Sequence, residues 1–404
     1  MLDSDFVRAS FPALDTPWAL FDNAGGSVPA RAVIQRTVDY MSRIQVQTGA
    51  SYDLSVEAGS AIAAGRSMAA RLLNADENET VLGPSSTALC YRLAASLRAT
   101  WKEGDEVIVT NLDHEANVGP WRALEETGIV IREWRLRPET MALELDDLEE
   151  LLTDRTRLVA FTHCSNVVGV IQDAAAIARR VREAGALSCA DGVAYAPHRR
   201  VDVKALDVDF YLVSLYKVFG PHVGMLYGRR DALMGGRSVN HFFVGEGEVP
   251  YKYEPGGVTH ELVAALPGIG DYLEAVASRS AHGGDPIEAA FAEFTETERV
   301  LAAPLLDLLE SAPRVQVLGG TDNDPARRVP TVAFTTEGKH ASEIPEALDK
   351  SQLAVRWGHF YAYRAMEALG LIDQGGVTRI SLLHYNTPAE VERLTRALAP
   401  LIGA

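Results

Sequence analysis

The sequence has little that would support a disulfide framework, a metal site, a membrane span or nucleic-acid binding. Its 404 residues include only three cysteines, Cys90, Cys164 and Cys189, and no pair of them has the spacing of zinc ligands. The formal net charge of −17 argues against a nucleic acid or an anionic membrane as partner. No apolar run approaches the length of a bilayer span. The remaining composition, 47% hydrophobic and 23% charged, is that of an ordinary soluble protein.

The first residues do not look like a targeting sequence. The segment MLDSDFVRASFP is acidic and mixed rather than basic and apolar, so we expect no secretory signal peptide. The low cysteine content is what a reducing compartment favours. The sequence therefore predicts a cytoplasmic protein, with neither nucleic acid nor a membrane among its partners.

The chain is long enough for one large and one smaller domain. We expect an N-terminal arm at residues 1–20 that packs with the smaller domain. In residues 21–284 short apolar strands alternate with helices, which predicts an α/β domain with a mixed, mostly parallel sheet covered on both faces. Residues 285–404 predict a smaller α+β domain, with a long helix at 286–311 and the run LAVRW (353–357) as one of its strands. Ligands of α/β sheets bind at the carboxyl ends of the strands.

The stretch 209–228, DFYLVSLYKVFGPHVGMLYG, contains the most informative residue. Lys217 directly follows the buried-strand pattern of Phe210–Leu215 and has apolar neighbours on both sides. Lysine is rarely buried unless it is paired, and burial lowers the pKa of its amine, which suits Schiff-base chemistry. The same pattern also fits an edge lysine that extends to water, so the assignment depends on the rest of the chain.

Other polar side chains follow neighbouring predicted strands. Ser86 and Thr87 lie between a strand and a helix, where hydroxyls, backbone N–H groups and the helix dipole can hold a phosphate. His114 follows the strand EVIVT and can lie flat over a planar ring. Asp191 ends the strand ALSCAD, where a buried acid needs a cationic partner. Each feature alone fits a helix cap or a polar loop equally well. Together with Lys217 they meet the requirements of pyridoxal phosphate: an imine lysine, an acid for the pyridine nitrogen, a stacking ring and a phosphate anchor.

These residues stand in motifs that resemble the class V aminotransferase-fold family, and within it the cysteine desulfurase-like group. The similarity extends over nearly the whole chain. It implies the PLP-dependent transferase fold (aspartate aminotransferase-like), pyridoxal phosphate as cofactor, a small amino acid as substrate and a homodimer with the site at its interface. The motifs are Phe21-Asp22-Asn23-Ala24, Ser85-Ser86-Thr87, Asp113-His114-Glu115-Ala116-Asn117, Ser165-Asn166-Val167-Val168-Gly169, Asp191-Gly192, Ser214-x-x-Lys217 and Arg379-Ile380-Ser381-Leu382.

The resemblance also implies a role for each matching cofactor residue. Lys217 would carry the internal aldimine and move protons, Asp191 would pair with the pyridine nitrogen, and His114 would stack on the ring. These three residues are the implied catalytic set. The other implied cofactor residues are Ser86, Thr87 and Ser214 at the phosphate, Asn166 near the ring hydroxyl or the substrate carboxylate, and Gly257 at a contact to the neighbouring subunit's phosphate.

The implied substrate residues include a marked departure from the family. Arg379 would clamp the amino-acid carboxylate, a bidentate task that suits arginine. Desulfurases of this group carry an R-x-G-H-H-C segment whose cysteine takes the sulfur as a persulfide. Here the segment is Arg356-Trp357-Gly358-His359-Phe360-Tyr361, so a tyrosine replaces the nucleophile and no persulfide relay is expected. The implied substrate residues are Arg379, Arg356, Asn23, Asn166, His359 and Tyr361, and no metal site is expected.

Three further departures lie near the implied cofactor. Tyr216 stands before the lysine, where the family often has histidine. The family's D-G-A-Q becomes Asp191-Gly192-Val193-Ala194, and Tyr195 or His198 is a candidate to replace the lost glutamine. The family's E-x-G-T segment becomes Glu254-Pro255-Gly256-Gly257, which weakens the expectation of a side-chain contact across the dimer.

The sequence leaves functions of different classes open. The first is a lyase that performs β-elimination, such as C–S cleavage, with Tyr361 or His359 as the acid on the leaving group. An aminotransferase or an epimerase would use the same residues. The second is a catalytically degenerate scaffold or sulfur-transfer partner, against which the intact Lys217 and Arg379 argue. A third, a nicotinamide dehydrogenase, is disfavoured because no G-x-G-x-x-G segment follows the first strand.

Overall fold

The structure is a computed structural model and describes residues 2–404. Strands and helices alternate through the first two thirds of this part of the chain, as the apolar runs predict. The strands are β1 (Ala19–Leu20), β2 (Thr80–Gly83), β3 (Glu106–Thr110), β4 (Val130–Trp134), β5 (Thr156–Thr162), β6 (Leu187–Asp191), β7 (Phe210–Ser214), β8 (Gly224–Gly228), β9 (Val315–Leu318), β10 (Thr331–Thr336), β11 (Leu353–Ala354), β12 (Arg356–Gly358) and β13 (Val377–Ser381).

The α-helices cover both faces of the larger sheet and one face of the smaller. The predicted bounds of the longest helix, 286–311, are confirmed. The helices are α1 (Ser4–Ala9), α2 (Arg31–Arg43), α3 (Asp53–Leu73), α4 (Ser86–Arg98), α5 (Gly119–Arg122), α6 (Leu145–Glu149), α7 (Ala174–Glu183), α8 (Val203–Leu206), α9 (Arg230–Gly235), α10 (His260–Ala264), α11 (Pro267–Ala277), α12 (Pro286–Ser311), α13 (Glu343–Asp349), α14 (Tyr363–Ala368) and α15 (Pro388–Ile402).

The larger sheet has seven strands in the order β2-β8-β7-β6-β5-β3-β4. All neighbours are parallel except those of β8, which runs antiparallel to β2 and to β7. Its strands are apolar on both faces because alternate residues enter different cores: Val107 and Val109 pack with α4, whereas Ile108 packs with α7. The predicted mixed, mostly parallel α/β sheet is confirmed.

The smaller sheet has four antiparallel strands in the order β12-β13-β10-β9. Residues of α12, α13 and α15 pack with it to form a separate apolar core. The run 353–357 is not the single strand that the sequence predicts. Leu353–Ala354 pairs with β1, and Arg356–Gly358 pairs with β13, because the chain leaves one sheet at Val355 and joins the other. After this change of partner the chain contacts the loops of the larger sheet: the Phe360 carbonyl accepts from the Asn166 side chain at 2.9 Å and the Tyr361 carbonyl accepts from the Glu115 N–H at 2.8 Å.

The N-terminal segment bridges the two parts of the chain. Arg8 forms a 2.9 Å ion pair with Glu390 at the start of α15. Phe11 makes edge-to-face contacts with Tyr272 from the first part and Tyr385 from the second. It therefore contacts more than the small-domain partner that the sequence predicts. The division at residues 20 and 284 stays a prediction.

The topology brings the polar residues of the sequence motifs to one edge. Because β3, β5, β6 and β7 run in the same direction, their carboxyl ends meet on one side of the sheet. The loops after these strands carry the motif residues. Within residues 2–404, none of the helices has both the length and the apolarity needed to cross a bilayer.

Candidate active site

A cavity of about 530 Å³, counted with the space at its mouth, lies at this edge. Nearly all of its walls come from loops that follow strands of the larger sheet. The lining residues are Ser85, Ser86, Thr87, His114, Ala116, Thr162, Cys164, Asn166, Asp191, Val193, Ala194, Ser214, Tyr216 and Lys217.

Lys217 lies in the short turn after β7 and faces the cavity. Its side chain is only 6% exposed, and within the described residues its Nζ has no hydrogen-bond or ion-pair partner. Burial, helped by the positive charge of Arg379, lowers the pKa of Lys217 to about 8. A substantial fraction of the amine is therefore neutral near physiological pH, and only the neutral amine can attack a carbonyl.

This unpaired burial predicts a stability change in the apo-protein. Between a pKa of about 8 in the folded protein and 10.5 when unfolded, the unfolded state binds more protons, so stability rises with pH in that window. Below pH 8 the folded protein bears the full free-energy cost of keeping a charged lysine buried, roughly 3 kcal/mol. Lys217→Met should therefore raise the free energy of unfolding of the apo-protein at pH 7 by up to that amount. The gain should shrink as the pH approaches 10.5.

Urea unfolding of the apo-proteins at several pH values measures this gain. Lys204→Met, at an exposed lysine, is the matched control and should leave the free energy of unfolding nearly unchanged. If Lys217→Met is less stable than wild type at pH 7, burial of the Lys217 amine does not destabilise the folded protein, which would contradict the prediction.

Asp191 ends β6 and faces the cavity. Its Oδ1 accepts a hydrogen bond from the Val193 N–H at 2.9 Å, and no cationic side chain contacts the carboxylate within the described residues. Burial raises the pKa of Asp191, an effect partly offset by the Val193 N–H and the charge of Lys217. A protonated ring nitrogen in the cavity would be the missing cationic partner.

His114 lies at the start of a short turn after β3. Its Nδ1 accepts a hydrogen bond from the Ala116 N–H at 3.0 Å, which assigns the ring proton to Nε2. Burial, with the positive charges of Lys217 and Arg379, lowers the pKa of His114 to about 4. The ring is therefore neutral at pH 7. A neutral flat ring can stack on a cationic aromatic ring without charge repulsion.

The loop that carries His114 is held by a buried carboxylate. Asp113 accepts hydrogen bonds from the Asn117 side chain at 2.7 Å and the Thr162 N–H at 2.9 Å, and a further short one from the Thr110 hydroxyl. Burial raises the pKa of Asp113 to about 7, although the bonds from Thr110 and Asn117 act in the opposite direction. This network connects β3 to β5 and fixes the backbone from which His114 projects.

Hydroxyls and a helix N-terminus form the other end of the cavity. Ser85 caps α4 by accepting a hydrogen bond from the Ala88 N–H at 3.1 Å, and the Ser86 and Ser214 hydroxyls are 2.9 Å apart. A Cβ on Gly224 would lie only 2.2 Å from the Ser85 carbonyl carbon, so β8 requires glycine here to support the turn. Free N–H groups, two adjacent hydroxyls and the dipole of a 13-residue helix suit a phosphate.

Asn166 and Arg379 connect the cavity to the smaller sheet. The Asn166 side chain donates to the Phe360 carbonyl at 2.9 Å, and the Asn166 carbonyl accepts from Arg379 at 2.9 Å. Arg379 also forms a 2.7 Å ion pair with Asp22, and its Nε is buried without a partner. The Phe360 ring covers the guanidinium at 3.7 Å. Arg379 thus lies behind the cavity wall with Asp22 as its present anion, rather than on the wall itself.

Several predicted substrate residues lie outside the cavity lining. Asn23 is buried, with its amide nitrogen donating to Ser381 and its oxygen accepting from Tyr385, so both amide atoms have protein partners. Asn23 therefore holds its own turn against the smaller sheet instead of contacting a substrate. The Arg356 side chain is 55% exposed and lies 3.5 Å from Asp22. His359 and Tyr361 are exposed, and the Tyr361 ring lies near the wall residue His114, with centroids 5.2 Å apart.

Gly257, which was predicted to contact the neighbouring subunit's phosphate, is also absent from the cavity lining. The same holds for Tyr195 and His198, the two candidates to replace the family's glutamine. Gly257 is exposed, with a φ of +77° and open space around its Cα. Tyr195 stacks on His163 with ring centroids 3.8 Å apart. His198 bonds to the buried Glu298 at 3.0 Å. Neither of these two side chains takes the place of the missing glutamine, because both are directed to partners outside the cavity.

The structure adds wall residues to which the sequence assigned no role, although Tyr216 and Val193 stand among the departures from the family near the implied cofactor. Tyr216 is the most informative of them, and its position directly before Lys217 is the signal that could have identified it. Cys164 also lines the cavity, as do Thr162 and Val193. Among residues 2–404 no group of three or more His, Cys, Asp or Glu side chains has the arrangement of a metal site.

The cavity thus combines an anion cradle, an acid without a cationic partner, a flat neutral ring and a buried amine, which is the donor set that pyridoxal phosphate requires. The class V aminotransferase family model matches residues 19–394. The chain belongs to the class V aminotransferase family. It is accordingly a PLP-dependent enzyme, with the α/β fold that this family shares with cysteine desulfurases.

Individual proteins are similar to this chain over almost its whole length. The aminotransferase-like protein FGM3 of Gibberella zeae is 39% identical over 400 residues, covering 97% of this chain and 96% of that protein. The cysteine desulfurase-like protein ustD of Aspergillus flavus is 34% identical, covering 100% and 91%. The crystal structure of the cysteine desulfurase CsdA from Escherichia coli superposes with a TM-score of 0.84 at 27% identity, covering 100% and 99%.

Proposed function

We propose that this class V family member is a lyase that eliminates a β-substituent, such as a sulfur group, from a small amino acid without a persulfide cysteine. The observation that carries the proposal is the state of the thiols. Tyr361 stands at the motif position where desulfurases of this group have their cysteine, and its ring lies near the wall residue His114, with centroids 5.2 Å apart. Cys90, Cys164 and Cys189 are exposed by 0%, 1% and 0% of their surface.

The thiols are poorly placed for nucleophilic attack. A thiolate is the reactive form, and burial raises the pKa of Cys164 to about 12 and those of Cys90 and Cys189 well above the usual value. Cys164 lines the cavity, but its Sγ contacts the Ser165 carbonyl at 3.9 Å. Cys90 and Cys189 both lie about 4 Å from the Asn117 side-chain oxygen, behind the wall. None can accept sulfur without moving.

The bound cofactor supplies an electron sink for the electrons of the Cα–H bond. The protein contributes the proton transfers and the orientation. Lys217, with its pKa of about 8, can accept the Cα proton. With the cofactor bound, Asp191 would hold a proton on the ring nitrogen, and the neutral His114 ring would orient the cofactor ring by stacking on it. The β-substituent leaves with the electron pair of its bond to Cβ, and Tyr361 or His359 can give it a proton.

Transamination and epimerisation remain the alternative within the same chemistry, because both also begin with loss of the Cα proton. A degenerate scaffold is disfavoured by Lys217. A buried amine without a partner is costly to keep, and a chain that has no use for it would be free to lose it.

We also propose a cytoplasmic homodimer. Exposed apolar residues of α2 and α3, namely Ile34, Val38, Met41, Leu54 and Val56, suit an interface between copies.

The test of the reaction type is a product screen. Each common amino acid is added to the holoenzyme, spectral changes are recorded, and sulfide, pyruvate, ammonia and the enantiomer are assayed. A lyase gives a keto acid and ammonia together with the leaving group. An amino-acid product that requires a keto-acid acceptor would instead establish an aminotransferase, and racemised substrate would establish an epimerase.

The combined Cys90→Ala, Cys164→Ala and Cys189→Ala variant should keep its elimination rate within about twofold of wild type. The reason is that no thiol takes part in the reaction. Each substitution should lower the free energy of unfolding by about 1 kcal/mol through loss of core packing. Product release and urea unfolding measure the two effects. Sulfide release from cysteine that disappears in this variant while the fold remains intact would establish a persulfide relay.

A further inference from the structure

Tyr216 is a wall residue whose ring is held by contacts with two other segments of the chain. The ring stacks on the His222 ring, with centroids 4.7 Å apart and planes inclined by 9°. An edge of the ring also approaches Gly26, where an added Cβ would lie 3.1 Å from Cε2 of Tyr216. The Ser27 hydroxyl donates to the Tyr216 carbonyl at 2.9 Å and accepts from the Phe219 N–H at 2.9 Å. The backbone and ring of Tyr216 are therefore held in place without any bound molecule.

The Tyr216 hydroxyl has no assigned task within the protein. In the part of the chain that the structure describes, it has no hydrogen-bond partner, although Tyr216 lines the cavity. Three tyrosines that are more deeply buried than the half-buried Tyr216 do have partners: the hydroxyls of Tyr211, Tyr272 and Tyr385 pair with His163, His384 and Asn23 at 2.7, 2.6 and 2.6 Å. Burial, with the charge of Asp191, raises the pKa of Tyr216, so the hydroxyl keeps its proton and can donate it.

The surroundings of Tyr216 place it on the substrate side of the cavity. It directly precedes Lys217, which must reach the substrate Cα. The Gly26 turn that packs on its ring begins at Asp22, the residue that pairs with Arg379 at 2.7 Å. Tyr216 thus lines the cavity beside Lys217, and a substituent of the substrate Cα that is directed away from Lys217 and from the Arg379 side would meet this part of the wall.

We propose that the Tyr216 hydroxyl donates a hydrogen bond to the β-substituent of the amino-acid substrate and so selects substrates whose β-substituent is an acceptor, such as a thiol, a hydroxyl or an acid. This inference rests on the proposed function and deepens it. A preset donor that has no protein partner rejects an apolar substituent, because the donor would then be buried without a hydrogen bond.

The test is amino-acid binding to the holoenzyme, measured as dissociation constants by absorbance titration and calorimetry. The probes are L-cysteine, L-serine and L-aspartate, with L-alanine as the analogue that lacks a β-substituent. Tyr216→Phe should weaken binding of the acceptor probe that wild type binds best by about tenfold. Binding of alanine should change by less than about twofold. Tyr216→His, which restores a donor, should recover part of the loss. Tyr195→Phe, at a tyrosine off the wall, should bind every probe like wild type.

Three results would overturn the inference while leaving the proposed function intact. Equal weakening of acceptor probes and alanine in Tyr216→Phe would show a merely structural role. Wild-type binding that favours alanine over every acceptor probe would show that the wall selects for something else. If Tyr216→Phe does not fold, Tyr216→His is compared with Tyr216→Ala instead. Equal binding of the acceptor probes by these two variants would also overturn the inference. A wild-type holoenzyme that binds no amino acid at all would instead refute the proposed function, and the inference with it.

Discussion

A Lys217→Ala variant should purify without the yellow colour of a covalently held cofactor and should lose activity by a factor on the order of 10⁴. Two tasks end with the side chain: covalent attachment of the cofactor and proton transfer at the substrate Cα. The cavity offers no substitute, because Lys217 is the sole lysine in its lining. The absorption spectrum and product formation under saturating cofactor measure both losses. An added small primary amine should restore part of the activity, since it can replace the missing proton acceptor.

The control for this variant is Lys204→Ala, at an exposed lysine paired with Asp76 on the surface. It should remain yellow and active. A Lys217→Ala enzyme that stays yellow after dialysis and keeps more than a tenth of wild-type activity would mean that another amine holds the cofactor. In that case the site described above would not be the catalytic one.

Asp191→Asn should lower the elimination rate by about 10³-fold while the cofactor still attaches to the protein. The amide is nearly isosteric and keeps the shape of the wall, but it removes the negative charge that holds a proton on the ring nitrogen. An unprotonated ring is a weaker electron sink, so the effect falls on the chemical step rather than on assembly of the site. Rapid-mixing kinetics at saturating substrate, with absorbance to quantify attached cofactor, separate the two.

Asp231→Asn is the matched control, since Asp231 is an exposed carboxylate paired with Arg229. It should change neither the rate nor the attached cofactor. An Asp191→Asn enzyme with an unchanged rate would show that the ring nitrogen needs no acidic partner here. Loss of attached cofactor with a normal rate per occupied site would place the role of Asp191 in binding instead.

The large sheet and the polar residues at its edge were accessible from the sequence because local signals determine both. Strands β3, β5, β6 and β7 are short apolar runs, and each is followed at once by polar residues. Parallel topology then requires those ends to meet. The same reasoning brings His114, Asp191 and Lys217 into one cavity, which the structure shows.

The substrate side was less accessible, because it depends on how two distant parts of the chain meet. Nothing local in the sequence indicates that Asp22 forms an ion pair with Arg379, or that the Phe360 ring covers the Arg379 guanidinium. The split of residues 353–357 between two sheets has the same cause: pairing with β1, far away in sequence, decides it. Tyr216 was noticed as a departure from the family pattern, but only the unpartnered hydroxyl in the folded protein gives it a task.

The central claim is that the Lys217 amine forms the imine with pyridoxal phosphate. The most direct measurement is borohydride reduction of the purified yellow protein, followed by proteolysis and mass spectrometry of the peptides. The account predicts bleaching of the colour and one pyridoxyl phosphate group, attached at Lys217. A modified lysine elsewhere, for example the buried Lys252, or a cofactor that washes away after reduction, would contradict it.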